Sequence, residues 1–278
     1  MSAGSVLAFG IAAMAFADSD TGVSCVLSAH SEAVGCPPLL PFKVRIGGRI
    51  SPRKLPRHER RPVALELLGK FATTDGTHLS ALREMVIDLD RDMAFDARGL
   101  PVCHRGRPHI RLRHPLARIG KICHDSIVGR GHMDFELAFP EQAPIETASR
   151  VVIFNDTAWQ GAPVRLGAVA EVDVPVPTLV VMSIGISRVR HGDSSLRAVA
   201  KMPVVAGGSG SLVDFRLRIK RLFRYKRQTK SLVTARCSDD VFKLSFPELL
   251  FRNEAHTPGA ASSTLIKGGL AISCSSVD

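Results

Sequence analysis

Apolar residues recur at every second position in segment after segment of this chain, the period of a half-buried β-strand and not of a helix. Phe42, Val44 and Ile46 alternate with Lys43, Arg45 and Gly47. The pattern returns at Met85, Ile87 and Leu89, at Met133, Phe135, Leu137 and Phe139, and at Val213, Phe215, Leu217 and Ile219. Turn formers such as Thr74-Asp75-Gly76-Thr77 and Gly207-Gly208-Ser209-Gly210-Ser211 separate these runs. About ten to twelve short strands result, at the spacing of a sandwich or barrel. One segment departs from period two. In His114 to Ile127, the residues Leu116, Ile119, Ile122, Cys123 and Ile127 recur at spacings of three and four. This predicts one short helix, ended by Gly129 and Gly131. The expected fold is therefore all-β, a mainly antiparallel sandwich or barrel-like region over 42–278, with one short disulfide-tethered helix. Two packed halves dividing near 155–163 are compatible with the pattern.

Residues 1–17 carry no charge, and Val6 to Ala17 is an apolar run too short to span a bilayer. The run ends Ala15-Phe16-Ala17 before Asp18, as at a signal-peptide cleavage site. A signal peptide over 1–17 is expected, although its start lacks Lys and Arg; a buried N-terminal element is the other reading. Ser, Gly and Pro then mark 18–41 as a poorly structured segment. The expected location is secreted or associated with the cell envelope. Six cysteines are present: Cys25, Cys36, Cys103, Cys123, Cys237 and Cys274. An even number in an exported chain points to disulfides, of which six cysteines allow fifteen pairings. Sequential pairing is the simplest: Cys25–Cys36, Cys103–Cys123 and Cys237–Cys274. The histidines near Cys103 and Cys123 leave a zinc site as the alternative, but no paired Cys-x-x-Cys and His spacing supports it.

The formal charge is +11, which favours anionic partners. Arg216, Arg218 and Lys220 share one strand face, and Arg224 and Lys226 alternate on the next segment. These five residues are the candidate anion-binding set, and an anionic envelope lipid or polysaccharide is the candidate partner. A solubilising edge of the sheet is the plainer reading. Nucleic acid is disfavoured, because one Trp and one Tyr provide no stacking platform and no recognised motif is present. The Gly207–Ser211 run matches neither a nucleophile elbow nor a phosphate loop. Asp88/Asp90 and Asp134/Glu136 each put two acids on one strand face, which fits a solvated face better than acid–base chemistry. No cofactor is indicated.

The pieces Gly48 to Pro56, Ala81-Leu-Arg-Glu84, Gly99 to Cys103, Phe139-Pro-Glu-Gln142 and Val205 to Ser211 resemble those of exported bacterial β-rich proteins of no assigned function. The likeness runs from about residue 44 to the Cys237 region. It implies export, a β-rich fold, and structural roles for Cys103, Cys123, Cys237 and Cys274; the Cys25/Cys36 pair is not part of it. The function expected is that of an exported non-enzymatic protein binding an anionic envelope component through its basic strand face. The alternatives are a carrier of an apolar or lipid ligand in a β cavity, and a secreted hydrolase.

Overall fold

In the computed structural model, the residues described are 24–26, 42–103, 115–139, 142–156, 164–173, 177–252 and 263–277. The alternating segments form twelve antiparallel strands of one sheet. These are β1 (Ser24–Val26), β2 (Phe42–Ser51), β3 (Ala64–Thr73), β4 (Ala81–Asp90), β5 (Ile127–Leu137) and β6 (Ile145–Asn155), followed by β7 (Val164–Val172), β8 (Thr178–His191), β9 (Ser194–Lys201), β10 (Gly210–Ile219), β11 (Val241–Arg252) and β12 (Ser263–Ser273). Their spatial order is β1-β2-β3-β10-β5-β6-β7-β8-β9-β4-β11-β12. Strands β5 to β9 are a simple meander, whereas β10 and β4 are inserted from elsewhere in the chain.

Eleven of these strands, β2 to β12, nearly close into a barrel. At the seam a Cβ added to Gly48 of β2 would come 2.7 Å from Ile272 and 2.9 Å from Leu270 of β12. Side chains bridge the same region: the Phe42 and Phe251 rings stack at 5.2 Å, and Phe71 meets Phe251 edge-on at 5.6 Å. Such aromatic pairs add about 0.5–1.5 kcal/mol beyond their buried area. Phe215, Leu217 and Ile219 turn inward, while Arg216 and Arg218 are exposed on the outer wall. An apolar inside and a charged outside are the inverse of a membrane-spanning barrel. Among the described residues no helix is long and apolar enough to cross a membrane.

The helix α1 (Leu116–Ile122) is shorter than its sequence pattern. It is buried along Leu116 and Ile119, which with Cys103 and Cys123 cover Val152, Phe154 and Val169 on the outside of β6 and β7. Burial of each aliphatic side chain contributes about 1.5–3 kcal/mol. Ile122 points away, 45% exposed. Gly129 and Gly131 do not end the helix; a short 3-10 turn, His124–Ser126, does, and both glycines lie inside β5. The Cys103–Cys123 and Cys237–Cys274 disulfides are both present, with Cα separations of 5.2 and 6.1 Å. The first tethers the end of α1, as expected.

Within the segment read as poorly structured, Ser24–Val26 is a strand on the edge of β2, with Cys25 opposite Val44. The signal-peptide region 1–17, the remainder of 18–41 including Cys36, and residues 157–163 of the supposed division lie outside the described residues. On either side of that division β6 and β7 pair, with Asn155 opposite Leu166.

A smaller sheet forms where Val233–Ala235 pairs with both Met93–Phe95 and Arg61–Pro62, and its Pro62, Ala94, Phe95 and Thr234 line an open cavity. Two acids of β4 that the sequence pattern places in solvent are buried. Asp88 and Asp90 are 2% and 5% exposed. Asp88 accepts two hydrogen bonds from Arg197, at 2.6 and 2.8 Å. Asp90 accepts the backbone N–H groups of Asp92 and Lys243. Asp92 accepts from Arg236 Nε at 2.7 Å and from the Ser238 N–H at 2.9 Å. Burial alone would raise the Asp92 pKa, but the Ser238 and Arg236 hydrogen bonds outweigh it and hold the carboxyl below its ordinary range. Replacing Asp92 by Ala should therefore cost about 1–3 kcal/mol in urea unfolding at pH 7, because it leaves the part-buried Arg236 guanidinium and the Ser238 N–H without their acceptor. A depressed carboxyl stabilises the fold above its unfolded pKa and loses that contribution as pH falls through its folded value. The gap between parent and Asp92→Ala should thus narrow below about pH 4.

Candidate anion-binding groove

The site begins with the pairing of β10 to β5. Across these strands Arg216 is opposite His132 and Arg218 is opposite Arg130; one strand further, His132 is opposite Arg150. Strand alternation turns all five outward, so they share the outer wall. The two strands approach closely here: a Cβ on Gly131 would fall 2.1 Å from the Arg216 carbonyl oxygen. Glycine at this inward position lets β10 lie tight against β5 and brings the guanidinium rows together.

The helix α1 stands beside this wall and completes a groove of about 910 Å³. Among the described residues its cationic lining is Lys121, Arg130, Arg150, Arg218, Lys220 and Arg221, with His124 and His132, and its one acid is Glu171. Glu171 is already engaged, accepting the backbone N–H of Leu116 at the start of α1, at 3.3 Å. Arg221 donates to the Asp125 carbonyl at 3.1 Å, and its buried Nε has no partner among the described residues. Among the described residues no hydrogen bond or ion pair engages the side chains of Lys121, Arg130, Arg150, Arg218 or Lys220. Like charges directly opposite across a strand pair destabilise it, so Arg130 against Arg218 costs the fold unless an anion lies between them.

Of the residues singled out from the sequence, Arg218 and Lys220 line the groove. Arg216 is beside it but is held by Glu66, Nε to Oε1 at 2.6 Å. Arg224 and Lys226 lie on a separate hairpin, Leu222–Tyr225 paired with Gln228–Ser231, and are not part of the lining. Lys226 instead sits 5.5 Å above the Tyr225 ring. Arg130 and His132 were missed because Gly129 and Gly131 occupy the inward positions of β5. Without apolar residues there, the alternation that turns Arg130 and His132 outward is invisible.

Further along the same wall the charge reverses. Asp134 is opposite Asp214, and Glu136 contacts His78. His78 Nε2 lies 3.3 Å from Ser211 Oγ, so Ser211, His78 and Glu136 form a triad-like row. Its protons run the wrong way for an activated nucleophile, since the hydroxyl donates to the Leu79 carbonyl and not to the imidazole. Ser211 is also 1% exposed and lines neither the groove nor the barrel cavity. The row fastens the chain before β4 to the start of β10.

Burial, then the facing Asp134 charge, raises the Asp214 pKa against the opposing pull of Lys70 and Arg216. An acid with a raised folded pKa loses stability as pH rises through its unfolded value. Asp214→Asn should accordingly melt higher than the parent at pH 7, and the difference should disappear below about pH 4, where both states are protonated. Thermal unfolding across that range measures it.

Compared with protein-family models, with curated proteins and with solved structures, the chain matches none. What stands of its resemblance to exported bacterial proteins is the β-rich fold.

Proposed function

We propose that this is an exported, non-enzymatic protein that holds an anionic component of the cell envelope in the groove between α1 and the β5–β10 wall. The observation that carries this reading is a groove in which, among the described residues, five cations are unengaged and the single acid is spoken for. An anion there relieves the repulsion between Arg130 and Arg218 and takes charge-assisted hydrogen bonds from planar guanidinium groups. The shared chemistry is a phosphate or carboxylate, carried by a lipid headgroup or by an acidic polysaccharide. The two disulfides support an oxidising compartment.

Retention of the full chain on phosphatidylglycerol vesicles and on polygalacturonate separates the two sources. Binding should weaken steeply as salt rises, since exposed charges are screened beyond about 8 Å at physiological ionic strength. Each cation near an anionic surface contributes about 1 kcal/mol, so Arg130→Ser, Arg218→Ser and Lys220→Ser combined should weaken binding about 100-fold. Arg224→Ser with Lys226→Ser should leave it unchanged. Equal binding by the triple variant, or no binding of either anion by the parent, would refute the proposal.

A further inference from the structure

The barrel interior carries a second, chemically different opportunity. An eight-stranded barrel is just filled by its own side chains, and eleven strands enclose more. Here large residues such as Phe135 and Phe215 take up only part of the extra width, because the inward rows of β7 and β9 include Ala168, Ala198 and Ala200. About 90 Å³ of free space remains, lined only by apolar side chains. An apolar cavity of roughly 150 Å³ is dry and admits benzene, so this space needs modest expansion to hold a ligand. Four methionines line it: Met85, Met133, Met182 and Met202. Their unbranched, flexible side chains repack at low cost, which suits a wall that must move aside.

The inward row of β8 shows where the space leads. Met182, Ile184 and Ile186 line the interior, and Arg188, next on the same face, lies at the mouth. Six residues of strand cover about 20 Å. The mouth is a cavity of about 650 Å³ that shares Phe95 and Ile186 with the interior. Its cations are Arg60, Arg98, Arg188 and Lys230, against the single carboxylate of Asp96. Arg98 binds Asp96 through two hydrogen bonds of 2.9 and 2.8 Å, and Lys230 lies 3.6 Å from it. Arg60 is spent on the Asp92 and Arg91 carbonyls. Arg188 is exposed and, among the described residues, has no polar partner.

We infer that the barrel and its mouth form a site for an anionic single-chain amphiphile, with the alkyl chain among the methionines and the headgroup between Arg188 and Lys230. The narrow free space selects one chain, and the excess of cations at the mouth selects the sign of the head. The site is separate from the outer groove, with which neither the interior nor the mouth shares a lining residue.

The test uses the full-length protein and N-phenyl-1-naphthylamine, a neutral dye that fluoresces in apolar cavities. Saturable 1:1 uptake is expected, reversed by dodecyl phosphate at concentrations at least tenfold lower than by dodecyltrimethylammonium. Ala198→Phe, which fills the interior, should abolish dye uptake while retaining the far-ultraviolet circular dichroism of the parent. Arg188→Glu, at an exposed position that cannot disturb the core, should weaken dodecyl phosphate about tenfold and leave the dye unaffected. Arg130→Ser with Arg218→Ser should change neither, which distinguishes this site from the groove. Absence of saturable dye uptake by the parent, undiminished uptake by folded Ala198→Phe, or equal displacement by the two detergents would each overturn the inference.

Discussion

The double pairing of β10, with β3 on one side and β5 on the other, is the constraint on which the remaining structure depends. It joins a hairpin from the beginning of the β region to a meander from its middle, and so determines whether the sheet can curl back on itself. The register also decides every surface. With Leu217 opposite Gly131 and Leu67, the inward row of β10 is Phe215, Leu217 and Ile219. A slip of one residue would send Arg216, Arg218 and Lys220 inside and the apolar row into water. Such a slip buries several charges at a cost of many kcal/mol, so the hydrophobic pattern specifies the pairing without any other device.

From that one register follow two sites of opposite character. The outer wall gathers cations from three strands and a helix, because β5 sets Arg130 opposite Arg218 of β10 and His132 opposite Arg150 of β6. The inner wall gathers Met and Ala residues from strands far apart in sequence. The basic groove remains local because the wall turns acidic two residues further along, at Asp134 and Asp214. The helix α1 has a double part. It covers the apolar outer patch of β6 and β7, and it raises the second bank of the groove, with the Cys103–Cys123 bond holding its end in place.

Much of the fold was legible from period-two alternation: the inward residues of β2, β4, β5 and β10 are those the pattern picks out, except that a bulge in β10 turns Leu212 into the interior in place of Val213. The sequence left sandwich and barrel open, because strand order depends on pairings such as Leu217 with Leu67, 150 positions apart in the chain, that no local pattern encodes. The extent of α1 was misread since apolar residues continue past it into β5. Asp88 and Asp90 were misread for a different reason. Alternation reports which face a residue is on, and not whether Arg197 or a neighbouring backbone will cover that face. Of the candidate site, Arg216, Arg218 and Lys220 could be found by alternation alone. Arg130 and Arg150 become partners only through strand pairing, and Arg224 and Lys226 part from the others because positive φ values at Lys226 and Arg227 turn their hairpin on itself.

Amide hydrogen exchange of the full chain, with and without a saturating acidic polysaccharide or phosphatidylglycerol vesicle, tests the central claim most directly. The account predicts added protection in α1, in β5 around Arg130 and from Arg216 in β10 through Arg221 beyond its end, with the Leu222–Ser231 hairpin unchanged. Protection centred on that hairpin, or spread evenly over the basic surface, would contradict it.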